Sequence, residues 1–202
     1  MSAPRSGRQL VAAVRLLVLA TVVLGLVYPL LMTGFGQLVA PSRAGGSLVR
    51  VDGQVVGSSL TGQAFVDAAG NPLPQYFQSR PSASSYDGRA SGGSNLGPNS
   101  PELIAAVTER RAAVAAFNGV PPADVPADAV TASASGLDPG ISPPYAALQV
   151  PPVTAARGVP AAAVSALVAG ATHGRDLGFI GAPYVHVLEL DLALDRAFGR
   201  VG

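Results

Sequence analysis

Residues 16–35 read LLVLATVVLGLVYPLLMTGF, twenty consecutive residues without a charge. At 1.5 Å per residue, a helix of that length spans about 30 Å, the thickness of a bilayer's hydrocarbon core. The stretch sets the expected architecture: a basic N-terminal segment at 1–15, a transmembrane helix at 16–35, and one soluble domain at 36–202. Pro29 falls near the end of this span, where neighbouring groups can satisfy the carbonyl it frees. Arg5, Arg8 and Arg15 precede the span and no acidic residue does. The positive-inside rule therefore predicts a cytoplasmic N-terminus and an extracytoplasmic domain. A cleaved signal peptide would show a shorter apolar core and a small-x-small site, and Gln37-Leu38-Val39-Ala40-Pro41 does not supply one.

Composition narrows the chemistry. Apolar residues make up 49 % of the 202-residue chain and charged residues 12 %, with a formal net charge of +1. Such a balance gives no basic field to hold nucleic acid. There is no cysteine, which excludes disulfides, thiolate metal sites and a cysteine nucleophile. All 13 basic residues are arginine, so a Schiff-base lysine and a P-loop lysine are excluded too.

In the soluble part, Leu48-Val49-Arg50-Val51 and Gln54-Val55-Val56 flank Asp52-Gly53, the signature of a tight hairpin. Residues 70–101 are rich in Gly, Pro, Ser and Asn and predict little regular structure. Tyr76, Phe77 and Tyr86 interrupt them, which points to an ordered binding loop with buried ring anchors rather than a linker. Ser100-Pro101 opens a predicted helix with Ser as N-cap, and Leu103, Val107, Val114 and Phe117 form its apolar stripe. Asn118-Gly119 closes it, and Arg110 and Arg111 read as its solvated face. Residues 121–152 read as loop. A second helix is predicted at 161–169, entered through Pro160 and left at Gly170. Residues 184–195, YVHVLELDLALD, read as a strand with Leu188, Leu190, Leu192 and Leu194 on its buried face. A helix from about Leu190 is the weaker alternative. The fold class is α+β, with long ordered loops.

Few residues offer chemistry. His173 and His186 read as isolated surface histidines, because no third ligand at a matching spacing accompanies them. No G-x-S-x-G elbow is present, so Ser133 and Ser135 near Asp138 read as turn and cap residues rather than nucleophiles. Ser91-Gly92-Gly93-Ser94 has the composition of an anion-binding nest ahead of a helix. Arg80 and Arg89 flank that loop and suit carboxylates of a partner.

Several motifs together carry a family resemblance: Tyr28-Pro29-Leu30, Gly62-Gln63-Ala64-Phe65, the run from Tyr76 to Ala83, and Ser91-Gly92-Gly93-Ser94-Asn95-Leu96-Gly97-Pro98. To these add Val125-Pro126-Ala127-Asp128, the run from Thr131 to Pro139 with Ile141-Ser142-Pro143, Gly174-Arg175-Asp176-Leu177-Gly178-Phe179, and the closing segment from Val185 to Asp195. The chain resembles the C subunit of bacterial Kdp-type potassium-transporting ATPases over nearly its whole length. That resemblance implies a non-catalytic accessory subunit in the bacterial cell membrane, needed for complex assembly. It implies partners in a channel-like potassium-binding subunit, a P-type ATPase subunit, a very small stabilising subunit and membrane lipid. A nucleotide role, raising the ATPase subunit's affinity for ATP, falls by attribution on Ser91, Gly92, Gly93 and Ser94. Tyr76, Phe77, Arg80, Arg89, Asn95 and Asp138 are the expected partner contacts. No metal site and no catalytic residue is expected. Tyr184, His186 and Asp191 depart from the family's usual residues. A different class of function, an anchored extracytoplasmic ligand-binding or sensor module, is the alternative.

Overall fold

The computed structural model describes residues 3–201, with side-chain environments from residue 7 onward; the Arg5 side chain lies outside that range. The chain divides into two units at Leu48 and Val49.

The first unit is a helix in three stretches. They are α1 (Ala3–Val22), a π-helical turn at Val23–Val27, and α2 (Tyr28–Val39), followed by the short α3 (Pro41–Ala44). The part of it that qualifies as a candidate membrane span is Gly7–Val39, 33 residues with none of the most apolar window buried. The helix is thus longer than the 20-residue apolar stretch, and Pro29 lies well inside it rather than near its end. Pro29 has no N–H to donate, and its ring crowds the carbonyl four residues back. Here the backbone widens just ahead of the proline, and the Tyr28 N–H reaches Val23 O, five residues back. A π-bulge absorbs the proline without ending the helix.

The second unit opens with the predicted hairpin, β1 (Leu48–Val51) and β2 (Gln54–Ser58). Asp52 and Gly53 both adopt positive φ, 49° and 80°, as a tight turn between twisted strands demands. The helix expected after residue 100 is α4 (Pro101–Asn118). Gly119 ends it in the left-handed conformation and donates to Ala115 O. Ser100 occupies the N-cap position, but its side chain makes no cap bond. Arg110 is only half-exposed and donates to Val130 O at 3.3 Å, so of the two arginines only Arg111 lies on a solvated face. The helix predicted after Pro160 is α6 (Ala161–Gly170).

Two secondary-structure assignments fail. Part of the segment read as loop is α5 (Pro143–Arg157), which carries Pro151 and Pro152 in its interior. Proline pairs argue against a helix in isolation. Burial of Tyr145, Ala146, Gln149, Val150 and Val153 along one side outweighs that preference. The Ser142 hydroxyl, accepting from Tyr145 N, caps the start. The closing segment is a strand for only three residues, β5 (Tyr184–His186), and then becomes α7 (Val187–Phe198). Leucines at every second position also recur every fourth, and the buried set Val187, Leu188, Leu190, Asp191 and Leu194 follows helical spacing.

The sheet is correspondingly small. β5 lies between β3 (Gly140–Ile141) and β4 (Thr172–His173), antiparallel to both, with Ile141 opposite Val185 and Thr172 opposite Val185 from the other side. The core joins Val185, Val187, Leu190 and Leu194 to Val150 and Val153 of α5, Val164 and Val168 of α6, and the fully buried Phe77. His186 is buried rather than a surface residue. It caps α7, accepting at Nδ1 from Glu189 N, while Nε2 donates to Ser59 O at 2.7 Å. His173 is exposed and stacks on Tyr184 with ring centres 4.9 Å apart.

Residues 70–97 form no strand pairs beyond one isolated bridge between Val66 and Pro72, yet part of this backbone is buried. Buried peptide groups must be hydrogen-bonded, and here helix side chains do it. Gln149 clasps Gln78 twice, accepting from its N–H at 2.6 Å and donating to its carbonyl at 3.1 Å. Asp191 accepts from Phe77 N at 2.9 Å. Arg157, whose side chain is fully enclosed, donates to Gln75 O and Gly199 O and pairs with Asp195 at 2.7 Å. Its guanidinium also lies 4.9 Å from the centre of the Tyr76 ring.

Asp191 is the expensive member of this set. Its Oδ2 is buried with no hydrogen-bond partner, and burial drives its pKa well above the ordinary value of 3.8, against the Phe77 bond that pulls it down. When the native group holds its proton above pH 3.8 and the unfolded chain releases it, stability falls as pH rises until the native group ionises as well. Asp191→Asn keeps an acceptor for Phe77 N and removes the titration. Thermal melting from pH 4 to 8 is expected to show a variant that gains on the parent as pH rises, with the two converging near pH 4. A constant difference across that range would show that Asp191 is ionised throughout.

Candidate functional site

The expected contact residues fall on segments that cross rather than pair. Residues 79–97 lie over the 131–139 segment, and residues 61–62 come in from the hairpin side. Gly62 N donates to Leu137 O at 2.9 Å, Ser133 N to Pro81 O at 3.2 Å, and Gly92 N to Ser135 O at 2.8 Å. Hydroxyls tie the same crossing. Ser82 donates to Gly136 O at 2.6 Å, Ser91 to Ser135 O at 3.0 Å, and Tyr86 to Arg80 O. Serine-rich sequence here supplies donors for carbonyls that no strand reaches.

Arg80 is the splint. Nη1 meets Asp138 Oδ2 at 2.9 Å, and Nε and Nη2 reach Thr131 O. Asp138 also accepts from Gly140 N, so one ion pair fixes the ends of two loops. The pair stays partly open to solvent, with side chains 23 % and 36 % exposed. Beside it lies an open cavity of about 820 Å³ whose lining includes Thr61, Arg80, Ser133, Ser135 and Asp138. The Ser133 hydroxyl is buried there without a hydrogen-bond partner.

The remaining expected residues separate. Ser94 and Asn95 are exposed on the outer loop, Asn95 at φ 53°. Arg89 is exposed and folds back on Asp87 at 3.2 Å. In the segment Ser91-Gly92-Gly93-Ser94, the Gly92 N–H and the Ser91 hydroxyl already face Ser135 O. Tyr76 is half-buried, donating to Asp195 Oδ2 at 3.2 Å, away from the crossing. Phe77 is wholly enclosed, as a ring anchor should be. Sequence reading missed Gln149, Asp191 and Arg157, whose partners are more than thirty residues away. No local spacing marks such pairs. No cluster of three metal-ligating side chains occurs among the described residues.

The crossing demands glycine at two points. A Cβ on Gly62 would stand 2.5 Å from Asp138 O, and one on Gly136, at φ 69°, would collide with Ser84 Oγ and come within 2.7 Å of Gly92 O. Overpacking plus a left-handed backbone makes Gly136→Ala cost about 3 kcal/mol. Gly92→Ala meets open space and is expected to be near neutral. Denaturant melts of both variants check the contrast, and equal stabilities would remove the crossing as a constraint.

The family described as KdpC, the c chain of K+-transporting ATPases, matches residues 10–196. A potassium-transporting ATPase KdpC subunit of Kineococcus radiotolerans is 56 % identical over 192 residues, covering 94 % of each chain. That of Beijerinckia indica is 51 % identical over 184 residues, covering 90 % of each. That of Mycobacterium tuberculosis is 49 % identical over 193 residues, 94 % of this chain and 98 % of its own. With a matching profile over almost its full length and relatives at half identity, this chain belongs to the KdpC family and is an accessory subunit of a multi-subunit K+-transporting ATPase.

Proposed function

We propose that this chain is the non-catalytic, single-span subunit that holds a potassium pump together from outside the cytoplasm. The reading rests chiefly on the crossing of the 79–97 and 131–139 segments. Its serines donate to backbone carbonyls, and its one strong ion pair, Arg80–Asp138, locks loop ends in place while staying partly exposed. A rigid, partly polar loop face is what a docking subunit presents, with little conformational freedom to lose on binding.

In this proposal the N-terminus, carrying Arg5, Arg8 and Arg15 ahead of the uncharged stretch 16–35, is cytoplasmic and the second unit is extracytoplasmic. The partners are the channel-like potassium-binding subunit, the P-type ATPase subunit and the very small stabilising subunit. Arg80, Asp138, Arg89, Asn95 and the Ser91–Ser94 segment belong to the contact face. Raised ATP affinity reaches the ATPase subunit through assembly rather than through a nucleotide held here. The Gly92 N–H, which an anion nest would need, already donates to Ser135 O.

The chain has no cysteine, so single introduced thiols report topology directly. Ser94→Cys is expected to react with a membrane-impermeant maleimide in intact cells. Labelling only after lysis would place the domain inside. Deletion of the chain is expected to abolish growth at micromolar potassium and recovery of the assembled pump. Undiminished growth and assembly would sink the proposal.

A further inference from the structure

Between β4 and β5 the chain makes an excursion that returns nothing to its own core. Residues 173–184 are all exposed, although β4 and β5 pair in register at its base. The excursion is stiffened by its own hydrogen bonds. Asp176 N donates to Ile180 O and Ile180 N to Asp176 O, at 3.0 and 2.9 Å, while Phe179 N reaches Asp176 O at 3.2 Å. At the tip, Leu177 and Gly178 both take positive φ, 52° and 81°. Glycine or asparagine is the ordinary residue at such positions, because a Cβ disfavours the left-handed backbone. Leucine here accepts that strain, yet its side chain is 82 % exposed, with Phe179 beside it at 71 %. Ile180 and Tyr184 are also exposed large hydrophobic residues.

We propose that this arm is a preformed plug, with Leu177 and Phe179 inserting into an apolar pocket on another subunit of the same pump. The inference rests on the accessory-subunit reading above. Two observations choose a protein over a lipid surface. Arg175 and Asp176, the arm's own charges, cancel, whereas a loop that enters anionic headgroups relies on surplus basic charge. The arm's base also opens onto polar groups, since Ala182, Pro183 and Tyr184 line a cavity of about 300 Å³ together with Arg80, Asp138 and Ser142. An apolar knob beside a polar, hydrogen-bonding hollow is the arrangement of a protein interface, with a dry centre and a polar rim. A prepaid left-handed turn keeps the two side chains aimed outward, so docking need not order them.

The variant L177N/F179S separates docking from folding, because asparagine tolerates the left-handed turn better than leucine. Full-length chain is co-expressed with the other pump subunits, solubilised in mild detergent, captured, and the partner-to-chain ratio measured. The expected result is at least a ten-fold loss of partner, with the melting temperature of the captured chain unchanged or higher. Should the double variant melt early, Leu177→Asn alone decides by the same ratio. A variant that recovers partner at the parental ratio overturns the inference while the accessory-subunit reading stands. A parent chain that recovers no pump subunit overturns both. In a second arm, Leu177 is replaced by a photoreactive benzophenone residue in the assembled pump. A crosslink to a subunit supports the plug, and crosslinks to lipid alone overturn it in favour of a membrane contact.

Discussion

A domain with little sheet must still satisfy every buried peptide group, and that requirement organises the second unit. Strands provide only short ladders here, so the helices lend side chains as substitute strands. Gln149 offers Gln78 a donor and an acceptor in the pattern of a neighbouring backbone. From α7 Asp191 accepts from Phe77 N, and from α5 Arg157 donates to Gln75 O. Buried polar groups arranged this way are costly when any one partner is lost. The arrangement makes a Gly-, Pro- and Ser-rich segment behave as part of the core.

The same requirement accounts for the prolines. In α5, Pro151 and Pro152 each withhold a donor from the helix, which tertiary burial of five side chains offsets. The stretches around Pro29, Val23–Val27 and Tyr28–Val39, bury no side chain, and the helix answers Pro29 with a π-turn instead. None of that helix's most apolar window is buried within the chain, and its length and composition make it a candidate membrane span.

The chain thus carries rigidity in two forms suited to a subunit that binds other subunits. One is the loop crossing locked by Arg80 and Asp138, which stays partly open to water. The other is the arm ending at Leu177, ordered by backbone bonds and exposing large apolar side chains. Each is held by hydrogen bonds within the chain itself, an arrangement that limits the entropy lost on association. Surface hydrophobic residues gathered on one ordered feature call for an explanation that scattered ones do not.

Local sequence determined whatever depends on neighbours along the chain. The apolar run gave the long helix, Asp52-Gly53 the hairpin turn, Pro101 and Gly119 the bounds of α4, and Pro160 the start of α6. The spread of family motifs from Tyr28 to Asp195 carried the identity of the complex. Tertiary structure alone decided α5, whose prolines argue locally for a loop, and α7, whose alternating leucines fit either period until His186 capped a helix. It also decided the site. Gln149 lies 71 residues from Gln78, and Asp138 lies 58 from Arg80. Contacts at such separations cost chain entropy that only the assembled core repays, so no window of sequence contains the signal.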